Sequence, residues 1–88
     1  MTKFYISGNS RIPKYRQIVK MIKDAVDNRH LIQGEQIPSM NRLQSDLSVS
    51  RETVYKAYKE LKMLGIISSS PGKGFYISKV PAHKQRNI

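Results

Sequence analysis

Two helical patterns separated by only three residues constrain this chain more than any other feature in it. Ser39 is followed by Met40, Leu43 and Leu47 at spacings of three and four, so a short helix capped by the Ser39 hydroxyl would turn all three side chains inward. Ser50 is followed by Val54, Ala57, Leu61 and Leu64, an apolar stripe on which Tyr58 also falls. Ser50 is a good cap for that helix, and Glu52 lies in its first turn, where the helix dipole favours an acid. The "SVS" between the two, residues 48–50, is too short for anything except a tight turn. Leu43, Leu47, Val49, Val54 and Ala57 then hold the positions at which the helices must bury side chains against each other, and small Ala57 lets them approach. Gly65 suits the position just past the second helix.

Upstream, Pro13 sits where a first helical residue is favoured, because its missing N–H would be unsatisfied there anyway. Tyr15, Ile18, Val19, Ile22, Ala25 and Val26 recur at spacings of three and four. They predict a helix from about 13 to 28 with one buried face, fraying around "DNRH". "IQGEQIPS" reads as a loop broken by Gly34 and Pro38. "KFYIS" at 3–7 is a short strand, or an arm packing Phe4 and Ile6 onto the domain. Beyond Gly65, "IISSS" and "FYIS" flank the turn "PGKG", so Ile67, Phe75 and Ile77 belong to a two-stranded hairpin. Three helices followed by a hairpin is the order of a winged helix-turn-helix, a mainly α fold with a small β-hairpin. The expected organisation is an arm or short strand at 1–12, the winged domain at 13–78, and a basic, polar linker or tail at 79–88.

Charge bears on what such a domain meets. The 88 residues carry 16 Lys and Arg against 6 Asp and Glu, a formal net charge of +10. A field of that sign attracts polyanions, with nucleic acid the leading candidate, an anionic membrane surface second, and a solvated basic surface the bland alternative. No apolar run approaches a membrane span and no signal peptide is visible, so a cytoplasmic location is expected. With no cysteine, disulfides and thiolate zinc sites are excluded. His30 and His83 stand alone, and no carboxylate pair, nucleophile–base set or metal cluster suggests an enzyme or a cofactor. "PGKG" is not a phosphate-binding loop of the nucleotide-hydrolase type, since Ile67 and Gly74 occupy places where that motif needs glycine and a hydroxyl residue.

The stretch "IPSMNRLQSDLSVSRETVYKAYKELKMLGIISSSPGKGFYI", residues 37–77, resembles the N-terminal DNA-binding domain of GntR-family bacterial transcription regulators. The shared pattern is a loop ending in Leu-Pro-Ser, then Arg-x-Leu, Val-Ser-Arg-x-Thr-Val, Ala-Tyr-x-x-Leu, Gly-(Leu/Ile)-Ile and a Gly-x-Gly wing. "IPKYRQIV" is similar to the family's first-helix entry, so the resemblance covers roughly residues 4–80. It departs at Gln44, where a small residue is common, and at Ser48, where glycine is common. A positive φ at Ser48 would cost on the order of 1 kcal/mol relative to glycine.

The resemblance implies a recognition helix at about 51–64 in the major groove and a wing at 70–76 by the minor groove. Arg51 matches the arginine of Val-Ser-Arg and would contact a guanine edge or a phosphate; its alternative is an ion pair with Glu52 or Asp46. Thr53 would meet a phosphate or a thymine methyl, or serve as a second cap. Ser39 and Ser50 would hold phosphates, or cap and nothing more. Asn41 stands where many members carry a DNA-touching arginine, and Arg42 beside it is the candidate substitute. Tyr55 takes a position where many members carry a basic, DNA-contacting side chain, whereas Tyr15 and Tyr58 belong to the core. Lys56 and Lys59 face outward towards phosphates; Lys59 and Lys62 fit equally a solvated surface. In the wing, Lys73 would be the contact, with Gly72 and Gly74 letting the backbone come close. The candidate DNA-facing set is Ser39, Arg42, Ser50, Arg51, Glu52, Thr53, Tyr55, Lys56, Lys59, Gly72, Lys73 and Gly74.

The leading expectation is therefore sequence-specific binding of double-stranded DNA, as a homodimer on a palindromic operator. The resemblance also implies a C-terminal module that binds a small-molecule effector and drives dimerisation, so the chain is expected to be a fragment of a longer regulator. The alternative is a winged-helix module that binds protein or RNA, or DNA without sequence preference.

Overall fold

The computed structural model describes residues 11–78. The expected strand or arm at 3–7 and the tail at 79–88 lie outside the described residues. Six elements follow in order: α1 (Lys14–Asp27), β1 (Gln36–Ile37), α2 (Met40–Leu47), α3 (Arg51–Met63), β2 (Ile67–Ser70) and β3 (Gly74–Ile77). The winged helix-turn-helix expected from the sequence is the fold observed.

Each helix begins and ends for a local reason. The Ser39 hydroxyl accepts from the Arg42 N–H at 3.1 Å, and the Ser50 hydroxyl from the Thr53 N–H at 3.1 Å, so two orphan donors are satisfied. Pro13 lies one position ahead of α1 in extended conformation (ψ 146°), with its carbonyl accepting from Arg16 and Gln17. All three helices close with one arrangement, a long and a short backbone bond folded around a left-handed residue. In α1 these run from His30 N to Ala25 O and from Arg29 N to Val26 O, with Arg29 at φ 64°. In α2 they run from Val49 to Gln44 and from Ser48 to Ser45, with Ser48 at φ 55°. In α3 they run from Ile66 to Leu61 and from Gly65 to Lys62, with Gly65 at φ 78°. The end of α1 is thus a closed turn and not the frayed segment expected around "DNRH". Arg29 gave no warning of it, because it is not glycine.

The hairpin gains a third strand. Gln36 and Ile37, expected in a loop, pair antiparallel with Tyr76 and Phe75, which puts β3 in the middle of the order β1-β3-β2. Bonds from Gly34 N to Ile77 O and from Ile77 N to Glu35 O lengthen this pairing, so backbone groups of the presumed loop are satisfied by the sheet.

The core collects Ile18, Val19, Ile22, Ala25 and Val26 of α1 with Leu43, Val54, Ala57, Tyr58 and Leu61, and Ile37, Ile67 and Ile77 cover it from the sheet. The valines, leucines and isoleucines among them each contribute about 1.5–3 kcal/mol when fully buried. Tyr58, only 1% exposed, joins this core as expected. Its ring meets Phe75 edge-on at 4.9 Å, and its hydroxyl donates to the Pro38 carbonyl at 2.6 Å. Tyr15, Met40 and Leu47 pack against the core only partly buried, and Leu64, expected on the α3 stripe, is exposed where the helix ends.

Candidate nucleic-acid interface

α3 divides cleanly into two faces. Val54, Ala57, Tyr58 and Leu61 are buried, while Arg51, Glu52, Tyr55, Lys56, Lys59, Lys62 and Met63 are exposed. At 100° per residue, Glu52, Tyr55, Lys56, Lys59 and Met63 form one outward stripe and Arg51 and Lys62 flank it. Tyr55, 52% exposed, stands on the outer face three residues before the buried Tyr58. The sequence expectation that the two tyrosines part company is borne out in their burial.

Among the described residues Arg51 makes no ion pair, whereas Lys20 pairs with Asp24 and Arg42 with Asp46. Both proposed partners of Arg51 therefore leave it alone, and Asp46 is instead engaged by Arg42 at 3.6 Å on the surface of α2. An exposed pair of this kind is worth little and yields readily to a stronger anion. The cap of α3 belongs to Ser50: its hydroxyl accepts from the Thr53 N–H and lies 2.8 Å from the Thr53 hydroxyl, which makes a side-chain contact to the cap and does not itself cap the backbone.

The outward lysines differ from one another. Lys56 Nζ lies 5.6 Å from the centre of the Tyr15 ring, and Arg16 Cζ lies 5.8 Å from the same ring. Tyr15 thereby holds two cations where α1 meets the outer face of α3, each contact worth roughly 0.5–1 kcal/mol at an exposed site. Lys62 Nζ lies 3.4 Å from Ser69 Oγ and leans towards β2. Lys59 has no such partner among the described residues.

The wing is a built turn. Lys73 N donates to Ser70 O at 2.9 Å across Pro71 and Gly72, and Gly72 has φ 77°, the geometry of a turn with proline first and glycine second. Gly74, at φ 99°, has a second reason to be glycine: a Cβ there would come within 3.2 Å of Gln36 Nε2. That amide donates to the Lys73 carbonyl at 2.8 Å, and the Tyr76 hydroxyl donates to the same oxygen at 3.1 Å. Gln36 was not marked by the sequence, because its bond spans 37 positions.

Among the described residues no group of three or more His, Cys, Asp or Glu could hold a metal ion, and no helix is long and apolar enough to cross a membrane. The profile for "Bacterial regulatory proteins, gntR family" matches residues 14–77, from the first helix through the last strand. The chain belongs to the GntR family. Relatives and structural neighbours of this GntR-family chain agree. It is 44% identical over 64 residues to the uncharacterized HTH-type transcriptional regulator YdfD of Bacillus subtilis, which covers 73% of this chain and 13% of YdfD. A transcriptional antiterminator from Listeria monocytogenes superposes with a TM-score of 0.84 at 38% identity, over 89% of this chain and 58% of that one. The DNA-binding domain of AraR, crystallised with operator ORX1, superposes with a TM-score of 0.75 at 26% identity, over 86% of this chain and 95% of that one. The GntR-family chain described here thus spans a small part of YdfD and over half of the Listeria protein.

Proposed function

We propose that this chain is the DNA-binding domain of a GntR-family transcription regulator and reads double-stranded DNA by sequence, with α3 in the major groove and the wing at the minor groove. The carrying observation is the outer face of α3, where Arg51, Tyr55 and Lys59 are exposed and free of ion pairs among the described residues. The likeness to AraR, whose domain was crystallised on an operator, supports the same reading. Arg51 at the first turn suits a bidentate contact to guanine, Tyr55 a phosphate, base edge or thymine methyl, and Lys56, Lys59 and Lys73 the phosphates. Ser39 and Ser50, exposed at the starts of α2 and α3, suit phosphates, and Arg42 can exchange Asp46 for a phosphate. Glu52 stands on the outward stripe and suits a cytosine amino group. Two such domains would read an inverted repeat, held together by an effector-binding module of the whole regulator.

Selection of bound duplexes from a random pool at physiological salt tests this. Enrichment of a common motif, as an inverted repeat, is the expected result. Recovery of duplexes without sequence preference, or preferential binding of RNA, would replace the proposal with the nonspecific or RNA-binding alternative.

A further inference from the structure

The wing tip is a weak element held by a side chain from outside both the helix-turn-helix and the hairpin. β2 and β3 span four residues each, and a short hairpin with two positive-φ glycines at its turn orders poorly alone. Here the carbonyl of Lys73 receives two side-chain donors, Gln36 Nε2 at 2.8 Å and the Tyr76 hydroxyl at 3.1 Å. Gln36 and Tyr76 are directly opposed in the β1–β3 register, so their side chains share one face of the sheet and converge on that oxygen. Gly74 lacks the Cβ that would crowd the Gln36 amide. From Gln36 the chain passes through Ile37 and Pro38, whose carbonyl is fixed by Tyr58 of α3, straight into the Ser39 cap of α2.

We infer that Gln36 is a positioning residue that sets the Lys73 tip of the wing relative to α2 and α3, so that the wing reaches the duplex in register with the recognition helix. The inference rests on the DNA-binding reading above and adds to it a residue that touches no DNA itself. An ordered tip loses less freedom when Lys73 engages its phosphate or groove edge, and that difference appears as affinity.

The test uses the 88-residue chain with Gln36→Met, which keeps length and removes the donor, and separately Tyr76→Phe. Backbone amide relaxation of residues 72–74 in the free protein should show larger-amplitude motion in Gln36→Met than in wild type. Binding to a duplex enriched in the selection above should weaken by about three- to tenfold, the scale of one newly mobile side chain or loop segment. In a Lys73→Ala background the same substitution should change binding little, since the group it positions is gone. Equal losses with and without Lys73, or an unaltered tip and affinity in Gln36→Met, would overturn the inference. A wild-type chain that bound no duplex would instead sink the DNA-binding reading, while the relaxation comparison would still decide whether Gln36 holds the tip.

Discussion

Ser48 and Arg29 both occupy the left-handed region without being glycine, at φ 55° and 64°. Such a conformation costs roughly 1 kcal/mol or more in an L-residue, since Cβ crowds the following carbonyl. Ser48→Gly is therefore expected to raise stability by about 1 kcal/mol, less the extra backbone entropy glycine gains when unfolded. Chemical denaturation would measure it, and a loss of stability would mean that the serine side chain supports the turn. Tyr55 offers the opposite test, of function without stability. It is exposed on the outer face of α3, so Tyr55→Ala should leave the melting temperature nearly unchanged while weakening duplex binding. A large fall in melting temperature would show that its ring packs the domain.

At the scale of elements, Tyr58 fastens α3 to the segment between β1 and α2 through the Pro38 carbonyl. Burial pushes its phenol pKa well above the ordinary 10.0. The native state then keeps a proton that the unfolded chain gives up, so this contribution is complete below pH 10.0 and fades as pH rises beyond it. Tyr58→Phe should lower stability by about 1 kcal/mol at neutral pH, the typical worth of one hydrogen bond, and flatten the fall in stability above pH 10. Melting temperatures of both proteins across pH 7 to 11 check the two effects together, and parallel curves would discount the phenol. The helices were legible in the sequence because their causes are local: serine caps, apolar stripes and the glycine after α3. β1 was not legible. Two residues are too few for a period, and their partners in β3 lie about forty positions away, so only the folded chain brings them together. The closed end of α1 escaped for a related reason, since Arg29 carries none of the composition that normally marks such a turn. In the candidate interface, exposure along α3 followed from helix phase, whereas the ring of Tyr15 under Lys56 and Arg16 depends on how α1 and α3 dock.

For the whole molecule, a net charge of +10 sets how any polyanion is met. Duplex affinity should fall linearly with the logarithm of salt concentration, and each phosphate contact removed should reduce that slope by about 1. Lys59, exposed and unpartnered among the described residues, is the cleanest probe: Lys59→Ala should lower the slope by about 1 and weaken all sequences alike. Arg51→Ala should instead relax discrimination at one position of the site. An unchanged slope for Lys59→Ala would assign that lysine to solvent. The placement of β3 between β1 and β2 has a consequence for how the chain matures. The centre of the sheet is its last strand to be synthesised, and β1 has no partner until Ile77 has left the ribosome. The three helices can gather early, but until then Gln36 and Ile37 wait as an open edge. The sheet is therefore complete only when its last strand pairs with both neighbours, and a chain cut before Gly74 would leave the Gln36–Ile37 edge open.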